Sequence, residues 1–362
     1  MKLLYLIDTL YNSSGMERVV TTKANHLARE YGYDVTIVTS HQMGRTPFFP
    51  LDELVRHIDL HVNTHMPCAM PRYMKKLQRL LDREKPDICI STCGKEVMLM
   101  DQLRMEGIKM AEFHFSHDTY AIKGQLRKLH RLEHAVGKLD CFVALTQEDK
   151  AVWSRYCSRL EQIYNPTSFP TNGPTAALEA KRCISAGRFE RQKNYQDMIK
   201  VWELVHQRHP DWKLELFGDG KKKPLIRQMI CRLGLQDSII IHPATKRLKE
   251  EMLSSSAYLM TSLFEGFPMV LVETAALGLP TVSYRCPCGP GEFIQDGVNG
   301  FTTQPADIQG MADKICRLIE DEPLRKSMGE RIRAKSQDFT EEKIMPQWDA
   351  LFRRLYQEKH AQ

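Results

Sequence analysis

Short apolar runs rich in β-branched and aromatic residues alternate with helical periodicity along nearly the whole chain, and that alternation limits what it can fold into. "KLLYLID" reads as a strand, residues 16–31 as an amphipathic helix closed by Gly32, and "DVTIVTS" as the next strand. "DICIST", a helix over 95–106, "MAEFHFS", a basic helix over 123–137, "CFVALT" and a helix over 147–158 follow. Strands that are apolar on both faces and separated by helices build a parallel sheet covered on both sides. At residues 164–180, "YNPTSFPTNGPTAALEA", Pro, Asn, Gly and Thr crowd together with the turn chemistry of a linker. The alternation then restarts with "KRCISAG", helix 195–208, "KLELFG", helix 222–234, "SIIIH", helix 246–254, "AYLMTS", helix 269–277 and "PTVSY". The expected fold is α/β, with two doubly wound Rossmann-like domains over 1–166 and 181–340, a linker over 167–180, and a cleft where the two sheets face each other. Residues 305–360 read as helical, with turns at "EDEPL" and "SQDFT". The last helix, 341–362, carries Trp348, Leu351, Phe352 and Leu355 and needs a surface to bury them. The first domain is the available one.

Composition narrows the function classes. A length of 362 residues suits two domains, and 42% hydrophobic with 27% charged residues is ordinary for a folded protein. No apolar run reaches the ~18 residues of a membrane span, and Asp8 interrupts a start that a signal peptide would keep apolar. The expected location is the cytoplasm. The net charge of +6 suits phosphate-bearing substrates or an anionic membrane surface. Two basic helices, "RYMKKLQRLLDREK" and "KGQLRKLHRLEH", raise the further expectation of peripheral attachment to the inner face of the cytoplasmic membrane. In the first of them Leu77, Leu80 and Leu81 would face the core, and Lys75, Lys76, Arg79 and Arg83 the water. Basic residues are otherwise spread over many helices, without the aromatic-basic strands of RNA binders, so no nucleic-acid partner is expected. The ten cysteines are scattered singly, apart from Cys286 and Cys288, with no paired C-x-x-C spacing. They are expected to be reduced and mostly buried.

The chemistry gathers at strand ends. In "SLFEGFPMVLVE" two glutamates, Glu265 and Glu273, bracket a Gly-Phe-Pro turn inside an apolar run, where an unpartnered carboxylate costs several kcal/mol. Pro268 suits a first helical turn, which needs no donor there. The N–H groups of Gly266, Phe267 and Met269 then sit at a positive helix end. A carboxylate's two oxygens match a vicinal diol, so two of them suggest a ligand with two diols. The plain alternative is a buried pairing for Glu273 and a solvated loop for Glu265. In "SAGRFERQKNY", Arg188 and Lys193 project from another strand-to-helix loop, and such cations can neutralise a leaving diphosphate.

"GRFERQKNY", "FGDGKKKPLIRQMI", "SLFEGFPMVLVETAALGLPTVSY" and "GPGEFIQDGVNGF", in that order and spacing, resemble the donor domain of the family 4 retaining glycosyltransferases of GT-B fold, of the kind found in bacterial surface-polysaccharide synthesis. The resemblance covers most of 181–303. It implies that Arg188 and Lys193 hold the donor diphosphate, that Glu265 with the 266–269 backbone holds the transferred sugar, that Glu273 takes the ribose hydroxyls, and that Val270 belongs to the same donor-binding stretch. Gly218 and Asp219 fall in the second of these motifs. In the first domain "YNSSGMERV" resembles the family's Gly-Gly-x-Glu-Arg loop, with Gly15, Glu17 and Arg18 in place and Ser14 for the first glycine. A capping box between Ser14 and Glu17 explains Glu17 equally well. "AEFHFSHDTY" offers His114 and His117, and the resemblance implies that one of them, His114 first, lies near the reacting carbon.

The resemblance thus implies a retaining hexosyltransferase that moves a sugar from a nucleotide diphosphate donor to a glycan or lipid-linked glycan; the motifs do not name the base, and a uridine diphosphate sugar is expected first and a guanosine one second. No Asp-x-Asp occurs and no metal or other cofactor is expected. A nucleotide-sugar epimerase of related fold and a non-catalytic glycan-binding or nucleotide-sugar-binding protein are the alternatives.

Overall fold

The computed structural model describes residues 1–92 and 94–361. The chain forms two compact units, Met1–Ser168 with Glu341–Gln362, and Phe169–Thr340. In the first, β1 (Lys2–Ile7), α1 (Gly15–Tyr31), β2 (Asp34–Thr39), β3 (Val55–Asp59), α2 (Ala69–Glu84), β4 (Ile88–Ser91), α3 (Gly94–Val97), β5 (Ile108–Glu112), α4 (Thr119–Ile122), α5 (Leu126–Val136), β6 (Cys141–Ala144), α6 (Gln147–Trp153) and β7 (Leu160–Gln162) give a parallel sheet of order β3-β2-β1-β4-β5-β6-β7. In the second, β8 (Arg182–Ala186), α7 (Tyr195–Arg208), β9 (Lys213–Phe217), α8 (Lys223–Arg232), β10 (Ile239–His242), α9 (Leu248–Leu253), β11 (Ala257–Met260), α10 (Met269–Ala276), β12 (Thr281–Tyr284), α11 (Pro290–Phe293), β13 (Phe301–Thr303), α12 (Ile308–Glu320) and α13 (Glu322–Ser336) build a parallel sheet of order β10-β9-β8-β11-β12-β13. The final helix, α14 (Glu341–His360), belongs to the first unit.

Long amphipathic helices form where the pattern places them. Gly32 ends α1 in the left-handed conformation, φ 65°, with its N–H on Leu27 O, a capping geometry that favours glycine. The segment expected as one helix over 95–106 instead gives α3 and a single 3₁₀ turn at Met100–Gln102, because the chain must reverse and enter β5. A Cβ on Gly107 would lie 2.2 Å from Pro86 O, which shows how tightly that reversal is packed. Likewise α6 stops at Trp153, freeing residues that lead into the edge strand β7. The segment expected as a linker is bonded to the second unit: Ala176 N donates to Leu277 O at 2.9 Å, Arg325 Nε to Leu178 O at 2.9 Å, and Arg333 Nη2 to Gly173 O at 2.6 Å.

Each unit has its own core. The first sheet is sandwiched, with Val20, Ala24 and Leu27 of α1 and Ile344, Met345, Trp348, Leu351, Phe352 and Leu355 of α14 in one layer. Leu77, Leu80 and Leu81 of α2 lie in the other, with Leu132 and Val136 of α5. Burial of a large apolar side chain stabilises by about 1.5 to 3 kcal/mol, so α14 contributes on the order of 10 kcal/mol to the first unit. In the second unit Trp202, Val205, Met311, Ile315 and Met328 cover the sheet.

Candidate donor site and its surroundings

In an open α/β sheet the carboxyl ends of the two central strands diverge where the order reverses, and ligands bind there. In the second sheet that point lies between β8 and β11. The loops leaving these strands are stitched together: Leu263 N donates to Gln192 O (2.8 Å), Gln192 Nε2 to Phe264 O (3.0 Å), and Thr261 Oγ1 to Lys193 O (3.1 Å) and Asn194 O (3.0 Å). Asn194 turns the chain in the left-handed region, φ 48° and ψ 47°, which Asn tolerates.

The stitching brings sequence-predicted residues into contact. Lys193 Nζ lies 2.7 Å from Glu265 Oε1, and Gln192 Nε2 is 3.3 Å from Glu265 Oε2. The side chain of Glu265 is only 8% exposed, and this pairing offsets its burial. Glu273, in α10, is likewise buried. Both carboxylates bear on one phenol: Tyr258 is pushed well above the usual tyrosine range by burial first and then by the charges of Glu265 and Glu273. Its hydroxyl donates to Ala186 O (2.9 Å) and accepts from Ala186 N (3.1 Å), so the end of β8 is anchored to β11.

No side chain caps the first turn of α10, which opens at Pro268 with Met269 and Val270 following. Phe267 packs edge-on against Phe293, with ring centroids 4.9 Å apart. Gly289, φ 141°, lets the "CGPGEF" segment touch this turn, since a Cβ there would sit 2.4 Å from Pro268 Cδ. Gly266 is half-buried beside Glu265.

The loop holding Arg188 pairs with the one after β9. Gly187 N donates to Phe217 O (3.0 Å), Phe189 N to Asp219 O (2.8 Å) and Lys222 N to Phe189 O (2.9 Å). Gly218 is required there: a Cβ would fall 2.0 Å from Gly187 O. Asp219 is held below the usual carboxylate range by the Gly220 N–H and by Lys223. Arg188 is exposed and, among the described residues, has no ion pair or side-chain hydrogen bond.

In the first unit Gly15 opens α1 after Ser14. The capping box does not form: Ser14 makes no side-chain cap, and its hydroxyl contacts the carboxylate of buried Glu17 instead. Arg18 reaches Ser168 Oγ (3.2 Å) and lies over the Phe49 ring, 4.8 Å to its centroid. The two histidines separate clearly. Both ring nitrogens of His117 are engaged, Nδ1 with Asp118 (3.0 Å) and Nε2 with Glu133 (2.9 Å), and its ring stacks on Tyr156. His114 follows the end of β5, with Nε2 3.3 Å from Glu112 Oε1. Glu112 in turn is ion-paired with Lys23 of α1.

Sequence reasoning missed several of these partners. Gln192 sits inside the "GRFERQKNY" motif without having been singled out, and Tyr258 carries no motif. Lys23 left a visible signal, a cation on the apolar stripe of α1. A polar cluster at the carboxyl edge of the first sheet was also missed: Asp8 after β1 meets Ser40 Oγ, Lys95 Nζ (3.1 Å) and His65 Nε2 (3.2 Å). Burial raises Asp8, but Lys95, Ser40 and His65 outweigh it and hold the acid below its ordinary range. Burial pushes the neighbouring Glu96 up. Among the described residues one group has metal-ligand types within reach of one another: His209 at the end of α7 with Cys316 and Glu320 of α12, their ligand atoms within 4.8 Å. It lies at the amino edge of the second sheet, away from the stitched loops. The described cysteines are all free thiols, with Cys68 and Cys231 exposed and the others buried.

Two Rossmann-like units with a polar site at each strand-order reversal are the architecture of the GT-B glycosyltransferases. Comparison agrees. The model "Glycosyltransferase Family 4" matches residues 13–168 and "Glycosyl transferases group 1" matches residues 173–335. The chain is 31% identical to the N-acetyl-alpha-D-glucosaminyl L-malate synthase of Bacillus anthracis, over 95% of both chains. It is 28% identical to the amylovoran biosynthesis glycosyltransferase AmsD of Erwinia amylovora, over 96% of this chain and 98% of that one. A mutant of S. aureus TarM, crystallised with fondaparinux, alpha-GlcNAc-glycerol and UDP, has the same fold at a TM-score of 0.85 and 15% identity, covering 97% of this chain and 99% of its own. The chain belongs to the family 4 glycosyltransferases. No described helix is long and apolar enough to cross a membrane.

Proposed function

We propose that this glycosyltransferase is retaining and metal-independent, and that it transfers a hexosyl unit from a nucleotide diphosphate sugar, a UDP-sugar in preference, to a glycan or lipid-linked glycan. The Lys193–Glu265 pair supports this reading most directly. A donor diphosphate competes with Glu265 for Lys193; once Lys193 turns to the phosphate, Glu265 is left with acceptor oxygens for the sugar hydroxyls. Arg188, exposed and unpaired, supplies a second cation, so charge developing on the leaving phosphate meets fixed positive groups in place of a metal. The donor's C1–O bond to phosphate breaks, a bond to the acceptor oxygen forms on the same face, and the acceptor's proton passes to the departing phosphate oxygen. Glu273 would hold the ribose and His114 the region of the reacting carbon. His117 is less suited, with both ring nitrogens committed.

UDP in the TarM crystal and in Anabaena HepE supports the uridine preference. Names such as that of AmsD support a polysaccharide acceptor. The Asp8–Lys95 cluster offers an acceptor and a cation to acceptor hydroxyls or a lipid phosphate. A thermal-shift panel of UDP- and GDP-sugars, followed by transfer assays with chelator and NMR of the product anomer, tests the reading. Donor-dependent transfer that survives chelation with retained configuration is expected. Inversion, or loss of transfer restored by magnesium, overturns it.

The proposal extends to a location on the cytoplasmic membrane face. On α2, Lys75, Arg79 and Arg83 are exposed, whereas Lys76, expected in water, donates to Leu60 O at 2.6 Å. Exposed Leu126 opens α5 beside Arg127 and Lys128. Sedimentation with liposomes should rise with anionic lipid and fall with salt.

A further inference from the structure

Lys23 and Glu112 are both completely buried, and they meet in the core of the first unit between α1 and β5. Removing two ions from water costs more than their attraction usually returns, and well-packed apolar residues are often at least as stable in such a place. The pair is elaborately housed all the same. Trp348 of α14 lies across the ammonium, with Nζ 3.4 Å from the ring centroid, and the Tyr5 ring stands 5.7 Å away. Burial pushes the Glu112 carboxyl up, but Lys23 and His114 outweigh it and hold it at about 2, so it is ionised at neutral pH. One of its oxygens takes Lys23; the other, Oε1, stands 3.3 Å from His114 Nε2, an ion-pair distance without hydrogen-bond geometry, and neither of these two atoms has a hydrogen-bond partner among the described residues.

We propose that Lys23 and Glu112 are positioning residues for His114: the ion pair fixes the carboxylate, and the carboxylate fixes the imidazole with its proton on Nε2 and Nδ1 left as an acceptor. Through Trp348 the last helix of the chain becomes part of that support. The proposal rests on the reading that His114 acts beside the reacting carbon. A single truncation would strand a buried charge, so the test replaces both. Lys23→Met/Glu112→Leu should melt at or above the wild-type temperature, keep donor KM within about twofold and lose about 100-fold in kcat, the scale of a 1 Å misplacement. Lys23→Met/Glu112→Gln, which keeps an oxygen for His114, should recover most of the rate. His114→Ala should be at least as slow, and adding the double replacement to it should cost little more. A slow His114→Ala beside a wild-type kcat in Lys23→Met/Glu112→Leu overturns the positioning role alone; a wild-type kcat in His114→Ala overturns the histidine reading and the proposal with it. ¹⁵N spectra of the wild-type histidines give a readout independent of turnover and of variant folding. His114 in the Nε2–H tautomer is expected, and an Nδ1–H tautomer rejects the proposal.

Discussion

Glu265 and Glu273 differ in their dependence on Lys193. Glu265 shares the ammonium at 2.7 Å, so removing its carboxylate releases a cation for phosphate. If Glu265 holds the transferred sugar as proposed, Glu265→Ala should therefore bind UDP as well as or better than wild type, while kcat falls. Glu273, if it holds ribose, contributes alike in ground and transition states, so Glu273→Ala should mainly raise donor KM. A charge-assisted hydrogen bond worth roughly 1.5 to 3 kcal/mol corresponds to about 10- to 150-fold weaker UDP. Calorimetry on the two folded variants decides it, and equal losses of UDP affinity would sink the division of labour. Lys193→Met presents the converse case. It leaves a buried carboxylate with only Gln192 and should lower stability by about 1 to 3 kcal/mol, while Lys193→Met/Glu265→Gln should regain most of that loss without regaining activity. Chemical denaturation of both variants measures the difference.

At the scale of elements, the site is a set of loops whose backbones are bonded to one another, and glycine permits their approach. Gly218→Ala would drive a methyl into Gly187 O from 2.0 Å, so the loops after β8 and β9 must part. Strain of this kind costs about 1 to 3 kcal/mol. The variant should lose stability on that scale, and its UDP affinity should fall further than that of Gly297→Ala, where a Cβ meets nothing within 4 Å at a φ of 76°. An unchanged UDP affinity in Gly218→Ala would mean that the close approach of the two loops does not matter to the site. The same scale shows what could be read from sequence. Helices α1 and α7 were legible because their own periodicity and stop signals define them. The three-residue strands β7 and β13 and the short α3, α4 and α11 were not, since each exists only against a neighbour that the local sequence does not name. In the site, Arg188, Lys193 and Glu265 stood out as charges at strand ends. Their mutual pairing did not, because it depends on β8 lying beside β11 in the sheet although some 70 residues separate them along the chain.

At the scale of the molecule, the first unit is built from both ends of the chain and the second from its middle. Removing α14 forfeits the burial of Ile344, Met345, Trp348, Leu351, Phe352 and Leu355, a gross term on the order of 10 kcal/mol before the entropy of ordering the helix, and opens the layer it shares with α1. Residues 1–168 alone should thus fail to fold cooperatively, whereas residues 169–340, which keep their core intact, should fold alone and, on the proposed reading of Lys193, Glu265 and Glu273, bind UDP nearly as well as the whole chain. The two cut ends of the first unit both bond to α1. Ser168 is tied to Arg18 (3.2 Å) and Glu341 to His26 (2.9 Å), and these partners are eight residues apart on α1, about 12 Å at 1.5 Å per residue. A flexible linker of about six residues spans that distance comfortably. Joining 1–168 to 341–362 through such a linker should restore a single cooperative transition, with the near-ultraviolet circular dichroism of a fixed Trp348. A cooperative transition in 1–168 without the helix would show that α14 only decorates a unit already complete. Failure of the joined chain, with 169–340 folding normally, would show that the first unit needs the second to fold.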